Sequence, residues 1–165
     1  NTCLYTDVAH GNGDTIRVYN SHLQSVRFDN DDYRFIESLG GDEEEPDKVT
    51  RTRVIFSRLK HAFIKRSRQA RDISSHITTS TYPSVLCGDF NDTPVSYTYK
   101  TLANGLKDAF RESGSGFGST YAGPIPGLRI DYILHTPDLI SYDFSTSQPE
   151  LSDHYPVTCF LAVKK

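Results

Sequence analysis

The first part of the chain alternates between apolar and polar residues in the way that β-strands do. Residues 3–8 and 15–23 both follow this period of two, and β-branched and aromatic side chains recur in each. Between them, residues 11–14 have the sequence Gly-Asn-Gly-Asp, which is typical of a tight turn. The pattern predicts a β-hairpin in this part of the chain.

The clearest helical pattern lies in the middle of the chain. Apolar residues recur there at spacings of three, four and seven, which places them on one helical face: Ile55, Leu59, Phe63, Ala70, Ile73 and Ile77. Residues 51–71 also contain eight lysines or arginines and no acidic residue, so we expect the opposite face to be basic. This face is available to phosphates, but solvation and partial neutralisation by the preceding segment are favoured. That segment, residues 28–47, is acidic and is expected to form an exposed loop or a short helix with a loop.

Short apolar segments return in the second half of the chain. The predicted strands are residues 84–87, 129–135, 140–145 and 155–163. Residues 96–103 are predicted to form a short helix, whereas residues 114–127, rich in Gly, Ser and Pro, are expected to form a loop at the rim of a site. Strands separated by one long helix indicate a layered α/β domain.

Size and composition indicate one globular domain. The 165 residues are enough to bury a core, and charged residues of both signs are mixed throughout. No apolar run approaches the roughly 20 residues that span a bilayer, so no membrane span is expected. The formal net charge of −3 does not favour nucleic-acid binding through overall charge, although a local basic surface would suffice for it. Cys3, Cys87 and Cys159 lack the spacing of a metal site and are expected to be small buried residues.

Candidate catalytic residues are concentrated in four short segments. Each segment places polar residues at the end of an apolar strand, where layered α/β proteins bring distant residues into one cleft. The segments are Asn-Ser-His-Leu at 20–23, Gly-Asp-Phe-Asn at 88–91, Arg-Ile-Asp-Tyr-Ile at 129–133 and Ser-Asp-His-Tyr-Pro-Val at 152–157. We therefore expect one polar cleft that is built from distant parts of the chain.

The carboxylates and histidines of these segments point to metal-assisted chemistry. Asp89, Asp131 and Asp153 offer hard oxygen ligands, which suit Mg²⁺ or Mn²⁺ better than zinc. His22 and His154 can exchange protons near neutral pH, and a neighbouring carboxylate can raise the basicity of either. Taken alone, His22 fits a structural histidine equally well. Asp131 lies within an apolar run, where a carboxylate is costly unless it is paired or binds a metal.

The other polar residues of the segments point to a phosphorus centre. Asn20 and Asn91 can donate hydrogen bonds to phosphate oxygens without adding charge, although an Asp-x-Asn sequence after a strand is commonly only a turn. The chain shows no nucleophile elbow, no phosphate-binding glycine loop followed by lysine and no catalytic cysteine context. The combination predicts that water attacks a phosphoester with the help of a metal and a histidine.

In this order, the four segments resemble the C-terminal half of the endonuclease/exonuclease/phosphatase superfamily. That half carries N-x-H, GD-x-N, ID-x-x or LD-x-x, and SDH-x-P motifs, all of which are present here. The superfamily includes DNase I-like nucleases, abasic-site endonucleases, inositol-polyphosphate phosphatases and neutral sphingomyelinases. The resemblance implies an α/β fold, namely the C-terminal half of a four-layer sandwich with mixed, mainly antiparallel sheets and flanking helices. It also implies Mg²⁺ or Mn²⁺ as the cofactor.

The resemblance further implies roles in proton transfer and metal binding. His154, paired with Asp131, would be the base or would stabilise the phosphate. Asp89 would orient or deprotonate the attacking water, so both Asp89 and His154 remain candidates for the general base. Asp153, together with Asp89, would bind the divalent cation.

The same resemblance implies how the substrate is held. Asn91 would hold a phosphate oxygen, His22 would contact the phosphate or assist the leaving group, and Asn20 would support the site. Tyr121, in the expected rim loop, is predicted to border the substrate.

One part of the superfamily pattern is missing from this sequence. The N-terminal half of the family supplies an asparagine on its first strand, a metal-binding glutamate and one of the two packed sheets, and nothing before Cys3 provides them. The glutamates at 43–45 follow the N-x-H motif instead of preceding it. We therefore expect residues 1–165 to form a single partial domain whose N-terminal half is absent. Such a domain would be weakly active or inactive alone, and its exposed packing face would favour self-association.

The leading functional hypothesis is a Mg²⁺-dependent phosphodiesterase or endonuclease-like hydrolase, with nucleic acid favoured as the phosphoester substrate. The first alternative is a phospholipid or inositol-phosphate phosphatase of the same superfamily. The second alternative is a non-catalytic binding domain that retains the fold. The presence of Asp89, Asn91, Asp131 and His154 argues against that second alternative.

Overall fold

The computed structural model describes residues 2–9, 11, 13–26, 28–38, 48–147 and 152–164. The predicted acidic run at 43–45 and part of the first turn lie outside the described residues.

The predicted N-terminal hairpin is confirmed. β1 (Thr2–Ala9) and β2 (Thr15–His22) pair in antiparallel fashion. Near the turn, the Arg17 guanidinium donates two hydrogen bonds to the carboxylate of Asp7, at 2.6 and 2.8 Å. Gly13 has a φ of 92°, a backbone conformation that glycine adopts without a steric penalty.

Two helices connect the hairpin to the next strand of the sheet. α1 (Asn30–Ser38) and α2 (Lys48–Thr78) precede β3 (Ser84–Asp89), which lies parallel to β2. Parallel neighbours need a long crossover connection, which these helices provide.

The second half of the chain completes this sheet. α3 (Tyr97–Leu102), β4 (Lys107–Asp108) and α4 (Ala109–Ser113) precede β5 (Asp131–His135). β5 pairs with both β3 and β4 in antiparallel fashion, so the strand order is β1-β2-β3-β5-β4. The predicted α/β class, with a mainly antiparallel sheet and flanking helices, is confirmed.

A separate hairpin closes the described chain. β6 (Leu139–Thr146) and β7 (Val157–Val163) form a second, two-stranded antiparallel sheet. Of the helices in the described part of the chain, none has the length and apolar character needed to cross a membrane.

The core lies between the larger sheet and α2. Tyr19 on β2 and Leu86 on β3 are 2% and 0% exposed, and they pack against Ala70, Ile73 and Ile77 of α2. Because strand side chains alternate between faces, the intervening residues point to the opposite side of the sheet.

That opposite side is apolar and open along the first hairpin. Leu4 and Val8 on β1 are 68% and 51% exposed. They are the direct partners of Asn20 and Ile16 on β2, so these side chains share one face. The expected exposed packing face of a partial domain stays a prediction.

The buried face of α2 differs from the predicted one. Phe63 is 48% exposed, whereas Ala62 and Arg66 are buried in that part of the helix. The Arg66 Nε donates to the carboxylate of Asp92 at 3.0 Å, and both side chains are sealed from solvent. The prediction for Phe63 was wrong because an ion pair occupies the interior position. Burial of the guanidinium is tolerable because its charge is paired.

Part of the acidic segment forms a short helix, which was one of its two predicted alternatives. α1 forms there and buries Phe35, which is 1% exposed. Asp32 of α1 forms an ion pair with Arg58 of α2, so the basic face is partly neutralised in the predicted way. Residues 39–47 lie outside the described part of the chain.

The three cysteines are half-buried rather than fully buried, and all are free thiols. Burial raises the pKa of Cys87 above the ordinary thiol value, which keeps this group protonated and unreactive at neutral pH.

Candidate active site

Three strand ends meet at one edge of the larger sheet. β2 ends at His22, β3 ends at Asp89 and β5 starts at Asp131. In the register of the sheet, His22 lies beside Asp89, and Asp89 lies opposite Asp131. Direct partners point to the same face of a sheet, so the three side chains share one patch. The structure therefore brings three of the four predicted segments together at this edge.

The turn after β3 packs tightly against both neighbouring strands. Gly88 has a φ of 131°, and a Cβ atom there would lie 2.0 Å from the carbonyl oxygen of Ser21. The backbone N–H of Phe90 donates to the carbonyl of Ile130 at 2.8 Å. Asn91 has a φ of 52°, in the left-handed region that asparagine tolerates better than most residues. These requirements explain the local sequence Gly-Asp-Phe-Asn.

Asn91 fixes the carboxylate of Asp89. The backbone N–H and the side-chain amide of Asn91 donate to the two carboxylate oxygens, at 2.7 and 2.6 Å. The same amide group donates to the carbonyl of Leu23 at 3.2 Å. The amide therefore points at protein acceptors, and its predicted contact with a phosphate oxygen stays a prediction.

Burial raises the pKa of Asp89 above its ordinary value. The nearby charge of Asp131 acts in the same direction, whereas the backbone N–H of Asn91 opposes the shift. Asp89 is therefore a stronger base than an exposed aspartate.

The fourth segment joins the patch through His154. A single β-bridge between Tyr121 and His154 attaches this segment to the rim loop, and the N–H of Tyr155 donates to the carbonyl of Thr120 at 2.7 Å. The Nδ1 of His154 lies 2.9 Å from a carboxylate oxygen of Asp131. This contact fixes the ring orientation and leaves Nε2 for other partners.

The pKa of His154 is raised despite its partial burial. Burial lowers this pKa, but the hydrogen bond and the charge of Asp131 raise it by more. The protonated imidazolium is therefore favoured more strongly than in a free histidine.

Asp131 is held at its strand end by a buried threonine. The hydroxyl of Thr120 accepts hydrogen bonds from the N–H groups of Ile130 and Asp131, both at 3.0 Å, and Thr120 is 0% exposed. The role of Thr120 was not predicted, because a threonine in a loop rich in Gly and Ser does not by itself indicate a structural function.

His22 and Asn20 lie at the margin of the patch. His22 has a side chain that is 61% exposed, and its Nε2 lies 3.6 Å from a carboxylate oxygen of Asp89. Asn20 is exposed on the same face of β2, and it is not among the described residues that line the cavity. The supporting role of Asn20 remains a prediction.

The patch opens into a cavity of about 630 Å³. The polar side chains that line it are His22, Ser25, Asp89, Asn91, Asp131, Ser152, Asp153 and His154. The apolar and aromatic side chains that line it are Val26, Phe28, Tyr33, Tyr121, Ile125, Leu128 and Ile130. Every predicted site residue except Asn20 therefore borders one cavity.

A divalent cation fits the carboxylates of this cavity. Single ligand atoms of Asp89, Asp131 and His154 lie within 4.8 Å of one another. Like charges directly opposite each other on paired strands repel, so the Asp89–Asp131 pair favours a positive charge between the two carboxylates. Asp153 lies outside this group of three and is exposed on the rim of the same cavity. The two predicted metal ligands, Asp89 and Asp153, thus line the same cavity. Asp153, however, is not part of the cluster that Asp89 forms with Asp131 and His154.

Arg66 and Asp92 connect the loops next to the site, and neither role was predicted from the sequence. Asp92 directly follows the turn that carries Asp89, and Arg66 also donates to the carbonyl of Gln24 at 2.8 Å. Arg66 therefore joins the two loops that extend from β2 and β3. A signal was present, since Arg66 is spaced four residues from both Ala62 and Ala70 on the buried face of the helix.

Aspartates beside a carboxylate-paired histidine are groups that can bind a cation and transfer protons. Residues 23–154 match the profile of the Endonuclease/Exonuclease/phosphatase family. The chain belongs to this family, which confirms the resemblance drawn from the four motifs. No match was found among curated proteins.

Solved structures share the fold at low sequence identity. A protein of this family from Bacteroides vulgatus matches with a TM-score of 0.66 and 20% identity, over 98% of this chain and 55% of that one. A mannosyl-6-phosphatase from Bacteroides thetaiotaomicron matches with a TM-score of 0.60 and 16% identity, over 97% and 56% of the two chains. The human Nocturnin catalytic domain matches with a TM-score of 0.58 and 16% identity, over 98% and 53%. The chain thus spans little more than half the length of these proteins.

Proposed function

We propose that this chain carries the catalytic centre of a Mg²⁺- or Mn²⁺-dependent phosphodiesterase that hydrolyses its substrate by direct attack of water. The contact that supports this most strongly is the 2.9 Å approach of His154 Nδ1 to Asp131, beside the buried carboxylate of Asp89. A cation held by Asp89, with Asp153 as the further ligand that the family resemblance implies, would offset negative charge on the phosphoryl oxygens.

The side chains divide the proton transfers between them in this proposal. Asp89, whose carboxylate is oriented by Asn91, accepts the proton of the attacking water. His154, whose pKa is raised by Asp131, donates from Nε2 to a phosphoryl oxygen or to the leaving group. Asn91 keeps the Asp89 carboxylate oriented, and the exposed His22 contacts the phosphate from the side of β2.

Nucleic acid is the substrate that this proposal favours on the family resemblance. A phospholipid or an inositol phosphate is the alternative within the same chemistry. The match to a mannosyl-6-phosphatase is a reason to include sugar phosphates in any substrate screen.

We also propose that a second sheet, outside residues 1–165, packs against the open face of the first hairpin. The exposed side chains of Leu4 and Val8 support this proposal. It is also supported by the matched structures, because this chain covers only about half of their length. Without that sheet, the chain is expected to be weakly active and to self-associate. Its sedimentation coefficient would then rise with protein concentration.

The deciding experiment measures hydrolysis of bis-p-nitrophenyl phosphate and of plasmid DNA, using this chain and the longest natural protein that contains it. Activity should require Mg²⁺ or Mn²⁺, disappear with EDTA and disappear in His154→Ala. The matched control is His61→Ala, because His61 is exposed on α2. Absence of hydrolysis by the longer protein would instead favour a binding domain that retains the fold. Full activity of the short chain would contradict the proposed second sheet.

A further inference from the structure

The cavity that holds the carboxylates also has an aromatic wall. The ring of Tyr121 meets the His154 ring edge-on, with 5.6 Å between their centres. The hydroxyl of Tyr121 lies 3.3 Å from the hydroxyl of Tyr33. Phe28 packs edge-on against Tyr33, again with 5.6 Å between ring centres. The wall formed by Phe28, Tyr33 and Tyr121 therefore runs without a break from the catalytic histidine to α1.

This wall is held in place before any ligand binds. At the start of α1, the N–H of Asp32 donates to the carboxylate of Asp29 at 2.8 Å, and the N–H of Asp29 donates to that of Asp32 at 3.0 Å. The carboxylate of Asp32 is also paired with Arg58 of α2, and Phe35 is buried beneath the helix. A prearranged wall reduces the ordering cost that binding would otherwise carry.

The chemistry of the wall selects against charge. Burial raises the pKa of Tyr121, which keeps its hydroxyl neutral. Ile125 and Leu128 extend the apolar surface beside it. Among the described residues, the lining contributes aspartates but neither lysine nor arginine. His22 and His154 are the described lining groups that can carry a positive charge, and the proposed function assigns both to the phosphate.

We infer that the wall of Phe28, Tyr33 and Tyr121 is a binding subsite for a flat, uncharged group, such as an aryl ring or a nucleobase, carried by the phosphoester. The inference rests on the proposed function, because the wall and the carboxylates line the same cavity. The group would stack on the wall while the phosphate faces Asp89 and His154.

Two phosphonates test this subsite without requiring turnover. Phenylphosphonate and methylphosphonate present similar anionic heads, but only the first carries a flat ring. In calorimetric titrations of the longest natural protein that contains this chain, with Mg²⁺ present, phenylphosphonate should bind about tenfold more tightly, as expected for one stacked ring. Tyr33→Ala should abolish this preference, whereas Tyr33→Phe, which keeps the ring, should retain it. Tyr142→Ala is the matched control, because Tyr142 is an exposed tyrosine on β6 that does not line the cavity.

The outcomes separate this inference from the function on which it rests. Equal affinity of the two phosphonates overturns the subsite and leaves the phosphate site intact. A preference for phenylphosphonate that persists in Tyr33→Ala also overturns it. If neither phosphonate binds with Mg²⁺ or Mn²⁺, both the proposed function and the subsite fail. Thermal unfolding of each variant checks that a lost preference reflects a lost ring rather than a lost fold.

Discussion

Strand β5 carries half of a histidine–carboxylate pair at each of its ends, and the two pairs have different surroundings. At one end, Asp131 lies 2.9 Å from His154, whose side chain is 30% exposed to the cavity. At the other end, His135 lies 3.0 Å from Glu112, and its side chain is 0% exposed. The pairs match in chemistry and distance, yet only the first has a histidine that is exposed to a cavity.

The partners of the second pair explain why it is structural. Glu112 also accepts hydrogen bonds from Lys107 and from Ser141, the latter at 3.0 Å. The Nδ1 of His135 lies 2.9 Å from the carbonyl of Thr136, and its Nε2 approaches Glu112 without hydrogen-bond alignment. Because Glu112 is already supplied with donors and His135 is sealed, this pair fixes α4 to the sheet. Exposure of the histidine, not composition, separates the two pairs.

The largest expected effect comes from neutralising one carboxylate of each pair. Asp131→Asn should reduce kcat/KM of the full natural protein for bis-p-nitrophenyl phosphate by about 10²-fold or more, because His154 loses the charge that raises its pKa. Glu112→Gln should leave kcat/KM unchanged. Steady-state kinetics at several pH values measure both variants. An equal loss in the two would mean that the pairs do not differ in the way proposed.

The next effect concerns a third pair, Arg66 and Asp92, in which both side chains are sealed from solvent. Arg66→Met should lower the free energy of unfolding by about 3–5 kcal/mol, because Asp92 is left as an uncompensated buried charge. Arg68→Met is the matched control on the exposed side of the same helix, and it should change stability by less than about 0.5 kcal/mol. Urea unfolding followed by circular dichroism gives both values. A similar loss in both variants would contradict the role given to the ion pair.

A smaller effect is expected from cation binding at Asp89, which lies beside the pair of His154 and Asp131. Mg²⁺ at about 100 times its dissociation constant should stabilise the chain by about 2.7 kcal/mol, seen as a higher Tm than in EDTA. Asp89→Asn should abolish this response, whereas Asp72→Asn, on the exposed side of α2, should retain it. In EDTA, Asp89→Asn should raise the Tm, since it removes the repulsion from Asp131. A lower Tm in EDTA would show that the carboxylates do not repel.

The smallest effect is a difference in pH dependence between the two pairs. The pKa of Glu112 is lowered from 4.5 to about 2, chiefly by its hydrogen bond from Lys107, so its contribution to stability should be lost as the pH falls from 4.5 towards 2. The pKa of His154 is raised above 6.5, so its contribution is present below pH 6.5 and is lost as the pH rises through the higher folded-state value. Both effects are modest because the groups are partly screened by solvent.

Urea titrations across this pH range should separate the two contributions. Glu112→Gln should remove the acid-side loss, and His154→Gln should remove the loss above pH 6.5. If Glu112→Gln changed the loss above pH 6.5, or if His154→Gln changed the loss on the acid side, the assignment of the two pH ranges would be wrong.

Most of the architecture was predictable because it depends on local patterns. The alternation in residues 3–8 and 15–23 and the spacing in α2 reflect the periods of strand and helix, which the residues themselves carry. The predicted helix at 96–103 corresponds to α3 with Ser96 and Ala103 as its caps. The buried face of α2 was only partly predictable, because the spacing of apolar residues along a helix does not predict a buried arginine such as Arg66.

The candidate site was predictable as a set of residues but not as a geometry. The four motifs named most of the polar residues that line the cavity, because their combination and order carry the family resemblance. The aromatic wall was not predicted, since Phe28 and Tyr33 lie in a segment whose acidic composition indicates solvent exposure. Only the packing of α1 against α2 places them at the cavity.

The sequence by itself determined the types of the elements, the family and the inventory of reactive groups. Tertiary structure alone decided which groups meet, because pairing depends on strand register and on the exclusion of water. Register sets Asp89 opposite Asp131, and the tie between Tyr121 and the last segment brings His154 to them. Burial then makes a structural pair of His135 and Glu112, while an open cavity leaves His154 and Asp131 free for chemistry.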